Sequence, residues 1–174
     1  NGLVAVLAAD PETAEAALGG IDAEFDEPIP RVDTENIFQH LVDAAPEPRI
    51  QEESGDLMAG GQASHQTFEA TYYNSYVAHA PIEPHTALAE IQDGKATVWV
   101  STQVPFREQT AVAEAIGFEP QNVRILTPYV GGGFGGKASG HQAKEAARLA
   151  QITGKPVQGA WPRAEEFFYD TFRP

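Results

Sequence analysis

The chain has 174 residues, a formal net charge of −14 and no cysteine. That length suits one ordinary domain or two small ones, and the missing thiols exclude disulfides, thiolate zinc sites, iron–sulfur ligation and a cysteine nucleophile from this segment. Residues 1–66 hold 14 acids against Arg31 and Arg49, while residues 67–174 hold 11 acids and 9 bases. The first part therefore argues against nucleic acid or an anionic membrane as partner, and no apolar run is long enough to predict a membrane span.

In chain order, Leu3–Ala8 predicts a short apolar strand. Asp10 then caps a helix with Pro11 at its first position; Ala14, Ala17 and Leu18 give it an apolar face, and Gly19-Gly20 ends it. Ile21–Phe25 predicts a second strand, residues 27–34 a turn-rich stretch, and Thr34–Ala44 a weak helix. Such a small strand–helix–strand unit has too little core to stand alone. Residues 45–66, with Pro46, Pro48, three glycines and many acids, predict an extended connector with little structure of its own.

Beyond it the pattern changes. Phe68–Val77 alternates and is rich in Tyr and Thr, which predicts a strand. Thr86–Ile91 and Ala96–Ser101 predict a hairpin joined at Gln92-Asp93-Gly94-Lys95. Pro105 opens a helix with Val112, Ala115 and Ile116 on one face, closed by Gly117. Asn122–Leu126 predicts a strand. Ser139 and Gln142 predict a capping box for a helix lined by Ala143, Ala146, Ala147 and Ala150 and ended by Gly154. Pro156–Trp161 predicts a strand and Arg163–Phe168 a short amphipathic helix. The expected class is α+β, with mixed sheets and packed helices.

Between the strand at 122–126 and the helix that follows lies Gly131-Gly132-Gly133-Phe134-Gly135-Gly136-Lys137, five glycines in seven positions. A loop stripped of side chains lets backbone N–H groups approach an oxygen-rich ligand, and a loop that opens a helix adds that helix's unpaired N–H groups and positive dipole end. An anionic cofactor is therefore expected there. Gly131-x-Gly133-x-x-Gly136 matches the dinucleotide fingerprint formally, but the next strand ends without the acid that would hold a ribose. Gly131-x-x-x-x-Gly136-Lys137 matches most of a P-loop, but Ala138 stands where a magnesium-ligating Ser or Thr belongs. A nucleotide-binding module built on Gly131–Gly136, Rossmann-like, stays open as the alternative, as does a purely structural glycine turn. Lys137 reads equally as a phosphate partner or as surface charge. His79, His85 and His141 form no metal triad and read as structural.

The glycine segment resembles the cofactor loop of the molybdenum hydroxylases, the xanthine dehydrogenase and aldehyde oxidase family. Glu83-Pro84-His85-Thr86-Ala87, Val98-Trp99-Val100-Ser101-Thr102-Gln103, the stretch Trp161–Phe167, and Asp170 with Arg173-Pro174 resemble further segments of that family in the same order. The ending Phe168–Pro174 is similar to bacterial isoquinoline 1-oxidoreductase-like large subunits. The resemblance implies three regions: residues 1–44 as the end of a small α/β (hammerhead-like) domain, 45–66 as an acidic connector, and 67–174 as the first part, or first lobe, of a molybdopterin-binding domain.

It also implies a molybdenum–molybdopterin cofactor, in the cytosine dinucleotide form, with Gln103, Gly131, Gly132, Gly133, Phe134, Gly135 and Gly136 as cofactor-binding residues. Gln103 and Phe134 would lie near molybdenum through its oxo ligands, with no direct protein ligand to the metal. Ala138 would face the substrate; purine-oxidising members carry Glu there, so an aldehyde or another N-heterocycle is favoured. The implied reaction is hydroxylation with oxygen drawn from water. Its general base is expected beyond Pro174, so no catalytic residue is assigned in this segment and the chain alone is expected to be inactive. Implied partners are the remainder of the large subunit, an iron–sulfur subunit, a flavin or cytochrome subunit, and a small-molecule substrate, with iron–sulfur and FAD only on partner subunits or domains. Bacterial cytoplasm and periplasm both stay open.

Overall fold

The computed structural model describes residues 4–24, 26 and 32–171, and the chain divides into two compact units, Asn1–Ala70 and Thr71–Pro174. In the first unit, helix α1 (Pro11–Leu18) starts where expected: the Asp10 carboxylate accepts from the Thr13 N–H at 2.8 Å, and Pro11 holds the first helical position. Helix α2 (Ile37–Asp43) falls inside the expected range. The strand expected at Leu3–Ala8 is absent over its described residues 4–8, and so is the one expected at Ile21–Phe25 over 21–24; Leu3 and Phe25 lie outside the described residues. Both segments are apolar enough for a strand, but neither has a ladder partner, and without one its backbone groups gain nothing from extending. The connector also departs from expectation. It carries helix α3 (Leu57–Ala63), whose N–H groups are capped by the Asp56 carboxylate through Ala59 at 2.9 Å.

The second unit contains a four-stranded mixed sheet. Strand β1 (Thr86–Gln92) and strand β2 (Lys95–Val100) form the expected hairpin. Its two-residue turn needs positive φ at both positions, which Asp93 (48°) and Gly94 (72°) supply. Helix α4 (Pro105–Ile116) crosses to strand β3 (Val123–Leu126), which pairs parallel to β2. Helix α5 (His141–Thr153) leads to strand β4 (Val157–Ala160), antiparallel to β1, and helix α6 (Arg163–Tyr169) follows. The strand order is β3-β2-β1-β4. Among the described residues Phe68–Val77 forms no ladder beyond a single bridge at Val77.

Alternation along the strands sends Ala87, Ala89, Ala96, Val98, Val100, Val123 and Val157 to one face. Ala143, Ala146, Ala147 and Ala150 of α5 pack onto that face together with Val112, Ala113 and Ile116 of α4. In α4 the inward residue is therefore Ala113 rather than the expected Ala115, which is only half-buried. Small side chains on α5 let the helix axis come close to the sheet. That closeness fixes the ends of β2 and α5, and the glycine loop lies between those ends.

Candidate cofactor site

Three segments of the second unit hold the glycine loop. The first is the end of β2: the Gln103 N–H donates to the Lys137 carbonyl at 2.9 Å, and the Gly135 N–H donates to Gln103 Oε1 at 2.9 Å. The second is the segment before β1. Glu83 Oε2 accepts from the Gly131 N–H at 2.7 Å and from Lys137 Nζ at 2.6 Å, and His85 Nε2 donates to the Gly136 carbonyl at 3.2 Å. The third is α6 and its end. Asp170 Oδ2 accepts from His79 Nδ1 at 3.0 Å, Glu166 approaches His85 Nδ1 at 3.5 Å, and Arg163 donates to the Pro81 carbonyl at 2.6 Å. Trp161 stacks on His85 with centroids 5.0 Å apart and donates its indole N–H to Glu145.

The glycines let these side chains in. A Cβ at Gly131 would lie 2.6 Å from the Glu83 Cβ, one at Gly133 2.6 Å from Gln103 Oε1, one at Gly135 3.0 Å from His79 Nε2, and one at Gly136 2.9 Å from Asp170 Oδ1. The sequence reads the bare loop as room for a ligand; in the fold, four of the five glycines also make room for the protein's own polar side chains.

Lys137 is neither surface charge nor a free phosphate partner. It is fully buried and ion-paired to Glu83. Burial by itself pushes the Glu83 carboxyl up, but the hydrogen bond from Lys137, the Gly131 N–H and the lysine charge outweigh it and hold Glu83 below its ordinary value. His79 and His85 are structural in a specific way. The segment between them bends at Ala80, with φ 41°, and both rings reach the loop. Their contacts across more than 50 residues of sequence carry no periodic signal, so sequence reasoning had nothing to find them with.

The loop does not open α5 directly. A 3-10 turn at Gly136–Ala138 and then Gly140, with φ 68°, come first. Ser139 therefore does not cap α5, and Gln142 points instead to the Ser101 carbonyl at 3.3 Å. Glu108 fills the space beside Gly140, where any Cβ would collide with its carboxyl group. The helix dipole end expected at the loop thus begins beyond Gly140.

The remaining donors form a coherent set. The N–H groups of Gly131, Gly135 and Gly136 are taken by Glu83, Gln103 and the Gly133 carbonyl. Those of Gly132, Gly133 and Phe134 have no acceptor among the described residues. Because Gln103 Oε1 accepts from Gly135, its Nε2 is the side of the amide left to donate. Phe134 stands beside them, 74% exposed, at φ 54°. Ala138 is half-buried at the end of the 3-10 turn. These are neutral donors, with Gly133 buried, Gly132 half-buried and Phe134 and Gln103 exposed, and they suit a ligand rich in acceptors. One concavity of the unit, lined by Thr86, Leu88, Trp99, Ser101, Pro128 and Gln158 among others, includes neither Gln103 nor any residue of the loop. Among the described residues no group of three His, Asp or Glu is placed to hold a metal ion.

The molybdopterin cofactor-binding domain family matches residues 41–174. The chain belongs to that family. As a member of the molybdenum hydroxylases it is 33% identical over 137 residues to the aldehyde oxidoreductase molybdenum-binding subunit PaoC of Escherichia coli (strain K12), covering 78% of this chain and 19% of that protein. It is 36% identical over 98 residues to isoquinoline 1-oxidoreductase subunit beta of Brevundimonas diminuta, covering 56% of this chain and 12% of that one. The crystal structure of quinoline 2-oxidoreductase from Pseudomonas putida 86 shares the fold, with a TM-score of 0.72 and 21% identity over 96% of this chain and 22% of the other. The chain spans less than a fifth of the length of each of these two curated relatives.

Family membership displaces the nucleotide-module alternative, and the topology gives the physical reason. The helix after the loop leads to β4, which lies antiparallel to β1 at the opposite edge from β3, where a dinucleotide fold would return a parallel strand. The lysine a P-loop would offer to phosphates is buried on Glu83. No helix among the described residues is long and apolar enough to cross a membrane.

Proposed function

We propose that residues 71–171 form one wall of the molybdenum–molybdopterin pocket of a larger oxidoreductase, with the glycine loop and Gln103 as the cofactor-facing surface. The observation that carries this reading is the Gln103–Gly135 hydrogen bond. It makes Oε1 the accepting side of the Gln103 amide and leaves Nε2 to donate, while the N–H groups of Gly132, Gly133 and Phe134 in the same loop have no acceptor among the described residues. A row of neutral backbone and amide donors suits oxo, sulfido or phosphate acceptors without adding a fixed cation. When bound, the cofactor supplies the two-electron redox chemistry that the chain's own side chains lack. The chain's part is to bind and orient it: Gly132, Gly133 and Phe134 donate from the backbone, Gln103 donates from its amide, and Glu83 and Lys137 hold the loop in shape.

The small side chain of Ala138 leaves nothing to hydrogen-bond a purine, which favours an aldehyde or a different N-heterocycle as substrate. Two relatives, named for aldehydes and for isoquinoline, accord with that choice, while another is named a probable hypoxanthine oxidase, so the choice rests on Ala138. The cytosine dinucleotide form of the cofactor, the remainder of the large subunit, an iron–sulfur subunit and a flavin or cytochrome subunit complete the proposal. The test is molybdenum and pterin analysis of the full-length protein, alongside Gln103→Leu. The expected result is one molybdenum and one pterin nucleotide per chain, with retention lowered by the substitution. A full-length protein free of molybdenum yet active would overturn it.

A further inference from the structure

Behind the wall, Glu108 lies buried, 1% exposed, on the inner side of α4. Its Oε1 is 3.1 Å from the Thr102 hydroxyl, while its Oε2 has no hydrogen-bond partner. The same hydroxyl lies 3.3 Å from the Lys137 carbonyl and accepts from the Val104 N–H at 3.1 Å. Thr102 Oγ has one proton to give and two lone pairs to receive with. The Lys137 carbonyl can only accept. If Glu108 were ionised it too could only accept, and Thr102 would face two acceptors with one proton. If Glu108 carries a proton on Oε1, the Thr102 hydroxyl is fully served: Glu108 donates to Thr102, Thr102 donates to Lys137, and Val104 fills the second lone pair. An ionised Glu108 would in addition leave a buried anionic oxygen, Oε2, unpaired, which costs more than an unpaired neutral carbonyl.

We infer that Glu108 is held as a neutral carboxylic acid, and that its proton locks the relay Glu108–Thr102–Lys137 that ties the Gln103 end of β2 to the glycine loop. Glu108 is thereby a positioning residue that acts on the candidate site through Thr102. Burial raises its affinity for the proton; Thr102, the Lys144 ammonium of α5 and the Arg107 guanidinium of its own helix work against that, and burial prevails. Loss of the proton turns the Thr102 hydroxyl toward Glu108 and leaves the Lys137 carbonyl held by the Gln103 N–H alone, so one of the two bonds of the tie is lost as pH rises.

The part of this inference that concerns cofactor positioning rests on the proposed function; the protonation state does not. Two measurements therefore separate them. The first is infrared spectroscopy in D2O of the chain at neutral pH, comparing the natural protein with Glu108→Gln. Expected is a protonated-carboxyl stretch that Glu108→Gln lacks; no such difference overturns the inference outright. The second follows pterin retention by the full-length protein as pH is raised through the point at which that carboxyl stretch disappears. Retention should fall several-fold in the natural protein and stay level in Glu108→Gln, whose amide N–H donates to Thr102 at every pH. Equal pH profiles, with the infrared difference present, would overturn the positioning role and leave the neutral acid standing. Equal profiles without it overturn both. Loss of all pterin in both proteins at every pH would point instead to failure of the proposed cofactor wall.

Discussion

Gln103 and Gly135 meet through one hydrogen bond of 2.9 Å, from the glycine N–H to the side-chain oxygen, across 32 residues of sequence. Gly133 lies beneath the same side chain, and a Cβ there would stand 2.6 Å from Oε1 and 2.8 Å from Cδ. Gln103 is exposed and can swing aside, so Gly133→Ala should cost the fold no more than about 1 kcal/mol while breaking the Gln103–Gly135 bond. A bond worth about 1 kcal/mol corresponds to roughly fivefold in retention. Urea denaturation of the chain should show a small change, and pterin retention by the full-length protein a severalfold loss. Unaltered retention would remove Gln103 from the proposed wall.

The Glu83–Lys137 pair is asymmetric, and its two truncations should differ. The lysine is fully enclosed, while the glutamate side chain is 30% exposed. Glu83→Gln leaves a buried ammonium without its anion, expected to cost about 3–5 kcal/mol. Lys137→Met leaves a carboxylate that water can reach, expected to cost about 1–2 kcal/mol. The double variant should be more stable than Glu83→Gln alone. Chemical denaturation of the four proteins measures this coupling, and additive losses would show that the pair does not hold the loop as a unit.

The same pair sets an acid limit. Glu83 titrates below its ordinary value of 4.5 in the fold. Below that ordinary value the unfolded chain takes up the proton first, so the stabilisation is present above about 4.5 and is lost as pH falls through the folded value. The stability difference between the natural protein and Glu83→Gln should therefore shrink on acidification from pH 7 and vanish at low pH. Glu108 has the opposite sign: its stabilisation is full below 4.5 and fades as pH rises through its raised value. A difference curve for Glu83→Gln that stays flat down to pH 3 would contradict the ion pair.

Much of the second unit is legible in the sequence because its signals are local. The Asp93-Gly94 turn, Pro105 at a helix start and the alanines of α5 at helical spacing each fix an element through its near neighbours. Gln103 next to the glycine loop is legible through the resemblance rather than through spacing. Other features were not readable. Phe68–Val77 has the alternation of a strand, but a strand exists only with a partner, and sequence pattern does not supply one. Ser139 and Gln142 have capping-box spacing, yet the collision between Glu108 and any side chain at position 140 puts Gly140 at the helix start, a constraint visible only once α4 packs beside it. In α3, which Asp56 caps, Gly60-Gly61 hides the helix behind poor propensity. His79, His85 and Asp170 reach the loop from distant segments, and no local rule joins them.

Asp170 supplies the contrast to Gln103. Its carboxylate is pinned on two sides, by His79 Nδ1 at 3.0 Å and by the Thr171 N–H at 2.8 Å, and is almost wholly buried. A Cβ on Gly136 would lie 2.9 Å from each of its oxygens and 3.2 Å from its Cγ. Unlike Gln103, this side chain has nowhere to go without breaking both bonds. Gly136→Ala should therefore destabilise the chain by about 1–3 kcal/mol, the range of an overpacked site, and by clearly more than Gly133→Ala. In an Asp170→Ala background the obstruction is gone, and the added cost of Gly136→Ala should fall to a fraction of its value in the natural protein. Urea denaturation of this second set of four proteins reads the coupling directly, and equal costs in the two backgrounds would mean that Asp170 does not press on the loop.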